Sequence, residues 1–288
     1  MQSLLEFFPV GTQINILDIG AAFIGENPPY QPLIDAGVGR LFGFEPDPKA
    51  CAGLNEKYGE PHRFFQCFAG DGRRATFHET NWPPTGSLYA PNTRLLEKFQ
   101  NLAELTTPVA EHAVNTSRID DITEIGDIDF LKIDAQGAEL SILKSAMHTL
   151  SNTLVVQTEV EFVELYQGQP LFADVDIFLR AQGFQFHTFA GFGSRALKPL
   201  APKDGVNAGF RQYLWSDAIY VRDWMRLESL SEIKLRNYAI LANDLLKSVD
   251  LAHFVLAEHD RRTRGHLSDE YVLQLTGSDP RKSSPASA

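Results

Sequence analysis

The chain has 288 residues, 43% hydrophobic and 22% charged, enough for one large domain or one domain with an appendage. Its net charge of -11 argues against nucleic-acid backbones and anionic membranes as partners. Cys51 and Cys67 make neither a disulfide framework nor a zinc site, the start MQSLLEFFPVG lacks a basic signal-peptide opening, and no apolar run approaches the ~20 residues of a membrane span, so a cytoplasmic protein is expected.

Strand-like and helix-like segments alternate as far as Val221. Apolar Ile14 to Ile19 reads as a buried first strand. Pro28 to Ala36, opened by proline and closed by Gly37, reads as a helix. Arg40 to Phe44 is the second strand, Pro48 to Tyr58 a helix, and Phe64 to Ala69 the third strand. From Arg73 to Thr116 the pattern blurs. It contains strands near Ala75 to His78 and Pro108 to Val114, a loop through Pro83, Pro84 and Gly86, and a helix at Thr93 to Leu102. Strand four is Ile128 to Ile133, followed by a helix at Ala138 to Leu150. Strand five is Leu154 to Val160, then a helix at Phe172 to Gln182 and strand six at Phe184 to Phe189. A Gly-rich stretch, Ala190 to Trp215, reads as a loop long enough to be a lid. A last strand follows at Ala218 to Val221. Strands separated by helices imply a parallel sheet covered on both faces.

After Arg222 the composition changes. Leu227, Leu230, Leu241 and Leu245 recur at roughly helical spacing, and a second helix runs from about Leu251 to Arg261. The organisation expected is a domain over residues 1–222, a helical extension over 223–277 and a disordered tail over 278–288. The extension's apolar stripe suits a homodimer contact or a cap over a site, with packing on the chain's own core as the alternative.

The most informative segment is LDIGAAFIG, Leu17 to Gly25, with GFEP ending in Glu45 and Pro46 after strand two. Gly20 lets the backbone turn sharply after the first strand, where Rossmann-type sheets place a nucleotide or nucleoside. The fingerprint G-x-G-x-x-G is missing, so no helix amides are arranged for a pyrophosphate. That argues against a dinucleotide-dependent oxidoreductase. A nucleoside without phosphates fits better, S-adenosylmethionine being the common one. Glu45 is placed to grip ribose hydroxyls, Asp18 to orient the glycine loop or an amino group, and Asp71 after Gly70 to accept from an adenine amino group.

Four segments carry a resemblance to the FkbM-type methyltransferases: LDIGAAFIG, FGFEPDP, FLKIDAQGAELSILKSA, and the pair TEVEFVELYQGQPLF and SDAIYVRD. The likeness spans about Ile16 to Asp223. It departs from the family at Ala22, where asparagine is frequent, and at Asn27-Pro28-Pro29. The resemblance implies a class I methyltransferase fold, Rossmann-like, with a mostly parallel seven-stranded sheet and helices on both faces. It also implies S-adenosyl-L-methionine as donor and a hydroxyl acceptor on a sugar or natural product. Gly20, Ala21, Gly25, Glu45, Pro46, Gly70, Asp71 and Ser87 would then border the cofactor, with Asp18. Methylation of a small amine and a non-catalytic scaffold are the alternatives.

Asp134 ends the central strand four, where the transferred methyl should lie, and Glu159 and Glu139 join it as catalytic candidates. Lys132 is expected to pair with Glu159 or Glu161 on strand five, because a lysine among Phe130, Leu131 and Ile133 would not stay unpaired. Asp134 with Glu159 would also suit Mg²⁺, but the sequence offers no clear third ligand, so a metal is not favoured. His187 and His112 are weaker candidates for a base. Tyr166 to Pro170 is a candidate acceptor rim. The aromatics Phe192, Phe210, Tyr213 and Trp215 either stack on a sugar or anchor the loop.

Overall fold

The computed structural model describes residues 3–8, 11–21 and 27–277. Gly25, Ala22 and the tail from Ser278, each singled out above, lie outside them. Two compact units form. One comprises Leu17–Ile24 and Leu41–Arg222; the other comprises Met1–Ile16, Gly25–Arg40 and Asp223–Ala288.

The first unit carries most of the sheet. Its strands and those that complete the sheet are, in chain order, β1 (Ile14–Ile19), β2 (Gly39–Phe44), β3 (Arg63–Phe65), β4 (Phe68–Ala69), β5 (Arg74–Thr80), β6 (Pro108–Ser117), β7 (Phe130–Ile133), β8 (Val155–Glu161), β9 (Phe184–Ser194) and β10 (Tyr213–Arg222). Seven of them form one sheet in the order β3-β2-β1-β7-β8-β10-β9. Pairs β2–β3 and β7–β8 are parallel, which requires a crossover between successive strands. The helices in chain order are α1 (Gln31–Asp35), α2 (Pro48–Tyr58), α3 (Thr93–Leu96), α4 (Leu102–Leu105), α5 (Glu139–Lys144), α6 (Met147–Asn152) and α7 (Phe172–Ala181). No helix separates β9 from β10, so β10 returns antiparallel to both β9 and β8. A smaller sheet, β4-β6-β5, accounts for the blurred stretch.

Alternation along the strands builds the core. Leu17 and Ile19, Leu131 and Ile133, and Val156 and Val160 share it with Ile142 and Leu143 of α5 and with Val175 and Leu179 of α7. Each such side chain contributes roughly 1.5–3 kcal/mol when fully buried. The same alternation sends Lys132, Gln157, Glu159 and Glu161 to the opposite face or beyond the strand ends.

Several elements differ from the sequence reading. Strand three divides into β3 and β4, which belong to different sheets. The helix expected over Thr93 to Leu102 ends at Leu96, and Asn101, with a left-handed φ of 58°, precedes α4. The helix expected over Ala138 to Leu150 also breaks: Ser145 Oγ donates back to the Ile142 carbonyl, and Asp120 accepts from the amides of His148 and Thr149 at the start of α6. That cap comes from a distant residue and leaves no local signal. The expected lid is shorter than its sequence range, since β9 runs on to Ser194 and β10 begins at Tyr213, leaving 195–212 between the strands. Phe192 and Tyr213 stack across that extension with ring centroids 4.2 Å apart.

The second unit holds α8 (Glu232–Ile240), α9 (Val249–Thr263) and α10 (Leu267–Thr276). The segment after Arg222 does not stand alone. Asp244 accepts from the Ser3 hydroxyl at 3.0 Å and the Leu4 amide at 3.2 Å, and Asn237 Nδ2 donates to the Gln13 carbonyl at 2.9 Å. Leu227 and Leu241, offered above for a partner contact, are buried inside this unit. Leu230 and Leu245 are half-buried. Trp224, Met225, Ile233 and Phe254 are among the exposed apolar side chains of this unit. Among the described residues, no helix is long and apolar enough to cross a membrane.

Candidate active site

The site residues of the first unit gather at the carboxyl ends of β1, β2, β7 and β8. Gly20 follows β1 with φ +85°. A Cβ there would lie 2.1 Å from the Asp134 carbonyl oxygen, so only glycine lets the chains after β1 and β7 pass this closely. The amides of Gly20 and Ala21 both donate to the Phe44 carbonyl at 3.3 Å, tying this turn to the end of β2.

Glu45 stands one residue beyond β2 and is buried. Its Oε1 accepts from the Asp47 amide at 2.8 Å, which also starts α2. Its Oε2 has no hydrogen bond among the described residues. Burial pushes its carboxyl above the ordinary range, and the Asp47 amide opposes this. Pro46 is half-buried beside it. Gly70 is buried against Thr116, and its amide donates to Ser117 O at 2.9 Å. Asp71 is exposed and accepts from the Arg73 amide at 3.0 Å. A cavity of about 340 Å³ opens between Asp71, Tyr89, Leu140, Ser141 and Pro170.

Lys132 pairs with Asp18 on β1, Nζ to Oδ1 at 3.4 Å, and not with Glu159 or Glu161 as expected. Both ends of the pair lie on neighbouring central strands, whereas the glutamates sit farther along β8. Burial alone would lower the Lys132 ammonium, yet Asp18, Asp134 and Asp217 together hold it well above its usual range. Asp18 is therefore engaged in an ion pair.

Beyond β7 and β8 lies a group of carboxyls. Glu139, Glu159 and Glu161 each present an oxygen within 4.8 Å of the others. The third carboxylate that the sequence did not reveal is thus Glu161, two residues along β8 from Glu159 and on the same side of the strand. Among the described residues no lysine, arginine or histidine forms an ion pair with these three or with Asp134. Burial, followed by repulsion from neighbouring carboxylates, raises Glu159 and Glu161 well above the ordinary range. Glu139 is pushed up to about 7, by burial first. Its Oε1 accepts from the amides of Ala135 at 2.8 Å and Gly137 at 3.2 Å, so part of its task is to close the turn before α5.

Sequence reasoning missed Gln136, the hub of the site. Its Nε2 donates to Asp134 Oδ1 at 2.8 Å and to Glu159 Oε2 at 2.7 Å. Its Oε1 accepts from the Tyr166 hydroxyl at 2.8 Å. Its carbonyl accepts from Ser87 Oγ at 2.5 Å, so the Ser87 hydroxyl proton is spent on the loop after β7. The available signal was its position between Asp134 and Gly137 in the central signature. Tyr166 and Gln169 are buried, and Gln169 Oε1 accepts from the Tyr166 amide. His112 is a member of an exposed pair with Glu79 at 2.7 Å, and it lies on β6 of the small sheet. His187 lies within β9, at the far edge of the large sheet.

The sheet order, with its antiparallel β10 and the glycine turn after β1, is that of the class I methyltransferases. The sequence profile of the Methyltransferase FkbM domain matches residues 18–186, and the chain belongs to that family. The chain is 35% identical over 152 residues to the 2-O-methyltransferase NoeI of Sinorhizobium fredii (strain NBRC 101917 / NGR234), covering 48% of this chain and 60% of that protein. Among solved structures it aligns with M. capricolum TrmK in complex with S-adenosyl-homocysteine, at TM-score 0.35 and 10% identity over 90% of this chain and 98% of that one. It also aligns with the Methanococcus jannaschii fibrillarin pre-rRNA processing protein, at TM-score 0.36 and 12% identity over 75% and 69%. At those scores the structural likeness bears on neither the fold nor the chemistry.

Proposed function

We propose that this protein transfers a methyl group from S-adenosylmethionine to a hydroxyl of a sugar or natural-product acceptor. The observation that carries this is the group of carboxyls beyond β7 and β8, where Glu139, Glu159 and Glu161 lie together without an ion pair among the described residues. Raised carboxyls close to an acceptor oxygen are suited to take its proton. Family membership and the 2-O-methyltransferase relative support the same reading.

The residues present fit the cofactor. Glu45, a buried residue, offers for the ribose an Oε2 that has no hydrogen bond among the described residues. Gly20 and Ala21 form a close turn for the methionine end. The cavity beside Asp71 and Tyr89 suits the base. When bound, S-adenosylmethionine supplies an electrophilic methyl on sulfur. The bond from acceptor oxygen to carbon forms, the carbon–sulfur bond breaks, and its electron pair stays on sulfur. Glu159 takes the hydroxyl proton on Oε1, the oxygen not engaged by Gln136, with Asp134 beside it. Lys132 is paired with Asp18 and forms no ion pair with Glu159. Holding the two reactants in line supplies much of the acceleration.

The trio Glu139, Glu159 and Glu161 supports a second reading, in which a divalent cation such as Mg²⁺ lowers the acceptor's pKa. Activity abolished by a chelator and restored by Mg²⁺ favours it; activity indifferent to chelator favours the direct base. A homodimer through the C-terminal helices belongs to the same proposal, with Trp224, Met225 and Phe254 as its available apolar surface. Sedimentation equilibrium decides that point.

The main test is calorimetry with S-adenosylmethionine and with NAD, then tritiated methyl transfer to panels of glycosides, phenols and amines. Binding of S-adenosylmethionine with label on hydroxyl acceptors is expected. Absence of binding, or label on amines alone, overturns the reading.

A further inference from the structure

Gln136 has a left-handed backbone, φ +50°, where unbranched side chains other than asparagine and aspartate are uncommon. Nothing local requires a glutamine there, and Gly137 follows it at φ +97°. Residues held in sparsely populated conformations persist when the surroundings fix them, and they cluster at functional sites. What fixes Gln136 is a complete set of polar partners. An amide nitrogen has two hydrogens, and here one goes to Asp134 and the other to Glu159. The amide oxygen faces the Tyr166 hydroxyl. The reverse amide orientation would aim an oxygen at two carboxylates, so the assignment follows from the partners.

We propose, on the reading of the site given above, that Gln136 is a positioning residue that holds Asp134 and Glu159 side by side for the transfer. The two acids end adjacent parallel strands, β7 and β8, and like charges there would turn away from one another. One nitrogen shared between them binds a single oxygen of each. Asp134 Oδ2 and Glu159 Oε1 carry no hydrogen bond among the described residues, and they are left to face the acceptor. Tyr166, buried and with its phenol held far above the usual range by burial, stays protonated and locks the amide from behind. Ser87 pins the backbone from a third side. The clamp serves a direct base and a metal-bound acceptor alike, because each needs Glu159 at a fixed place.

Two variants separate this role from a purely structural one. Gln136→Asn suits the left-handed backbone better and is too short to span both carboxylates. Gln136→Met keeps the length and the backbone cost and removes the donors. The measurements are thermal melting, calorimetry with S-adenosylmethionine, turnover of the acceptor found in the glycoside panel, and a crystal structure of Gln136→Asn. We expect both variants to fold, with S-adenosylmethionine affinity within twofold of wild type. Turnover should fall at least tenfold with KM for S-adenosylmethionine unchanged, and the Asp134 and Glu159 carboxyls should lie farther apart in the crystal. Turnover above half of wild type in both variants overturns the proposal. So does loss of folding or of cofactor binding in Gln136→Asn, which would make the residue structural. Carboxyls that stay in place in the crystal overturn it even if no acceptor has been found. Failure of the wild-type protein to bind S-adenosylmethionine is a different result and counts against the function itself.

Discussion

The grip on the cofactor ribose can be tested at one atom. In Glu45→Gln the side-chain oxygen can keep the bond from the Asp47 amide, which now reaches Oε1 at 2.8 Å, while an NH₂ group replaces the open Oε2. The start of α2 is thereby preserved, and only the acceptor offered to the ribose is lost. Glu45 is 6% exposed, so water cannot easily substitute for the missing contact. A hydrogen bond to a charged group contributes about 1.5–3 kcal/mol. At 1.4 kcal/mol per decade, the dissociation constant for S-adenosylmethionine should rise roughly 10- to 150-fold. Titration calorimetry at pH 7.5, with circular dichroism to verify folding, measures this. The pH dependence adds a second arm. Burial raises the Glu45 carboxyl above its ordinary range, so wild-type affinity should fall as pH drops through that raised value. The variant should lack this fall. A folded Glu45→Gln protein that binds within twofold of wild type refutes the ribose contact.

Asp134→Asn keeps the shape of the site and removes one charge; turnover should fall at least tenfold while S-adenosylhomocysteine still binds, and wild-type turnover would exclude the residue from the chemistry. Lys132→Met removes the ammonium paired with Asp18, 2% exposed, and should lower stability in urea unfolding. The double variant Asp18→Asn, Lys132→Met should recover most of that loss, and equal stability of Lys132→Met and wild type refutes the pairing. In α9, Arg261 and Arg262 hold Glu258 down to about 2, by hydrogen bonds from Arg261 first and burial opposing. A depressed acid stabilises the fold above the ordinary value of 4.5 and loses that contribution as pH falls toward 2. Glu258→Gln should therefore be less stable than wild type at pH 7 and equal to it near pH 2, and a difference that persists at pH 2 contradicts the assignment.

What could be read in the sequence was whatever depends on local order. Short apolar runs marked β1, β2, β7 and β8, because strands buried in a parallel sheet are written as continuous apolar stretches. Proline after Asp47 and glycine after Tyr58 bounded α2 almost to the residue, since Asp47 caps it and Gly59 ends it at positive φ. Gly20, Glu45 and Asp134 could be singled out as candidates because each follows a strand end, where open α/β sheets gather their chemistry.

What only the tertiary structure decided were partnerships across the chain. Lys132 chose Asp18 over the glutamates of β8, because neighbouring strands bring those two together 114 positions apart in sequence. Glu161 joined Glu139 and Glu159 because the loop after β7 folds the start of α5 back toward the end of β8. Gln136 became the hub because a left-handed turn aims its amide at two acids and a tyrosine. Leu227 and Leu241 of the C-terminal segment are buried in the chain's own second unit, because an apolar stripe reveals its existence in sequence but not its partner. Alternation and capping act over a few residues and leave a pattern. Hydrogen bonds and ion pairs between distant strands are set by sheet order, and no local pattern encodes that order.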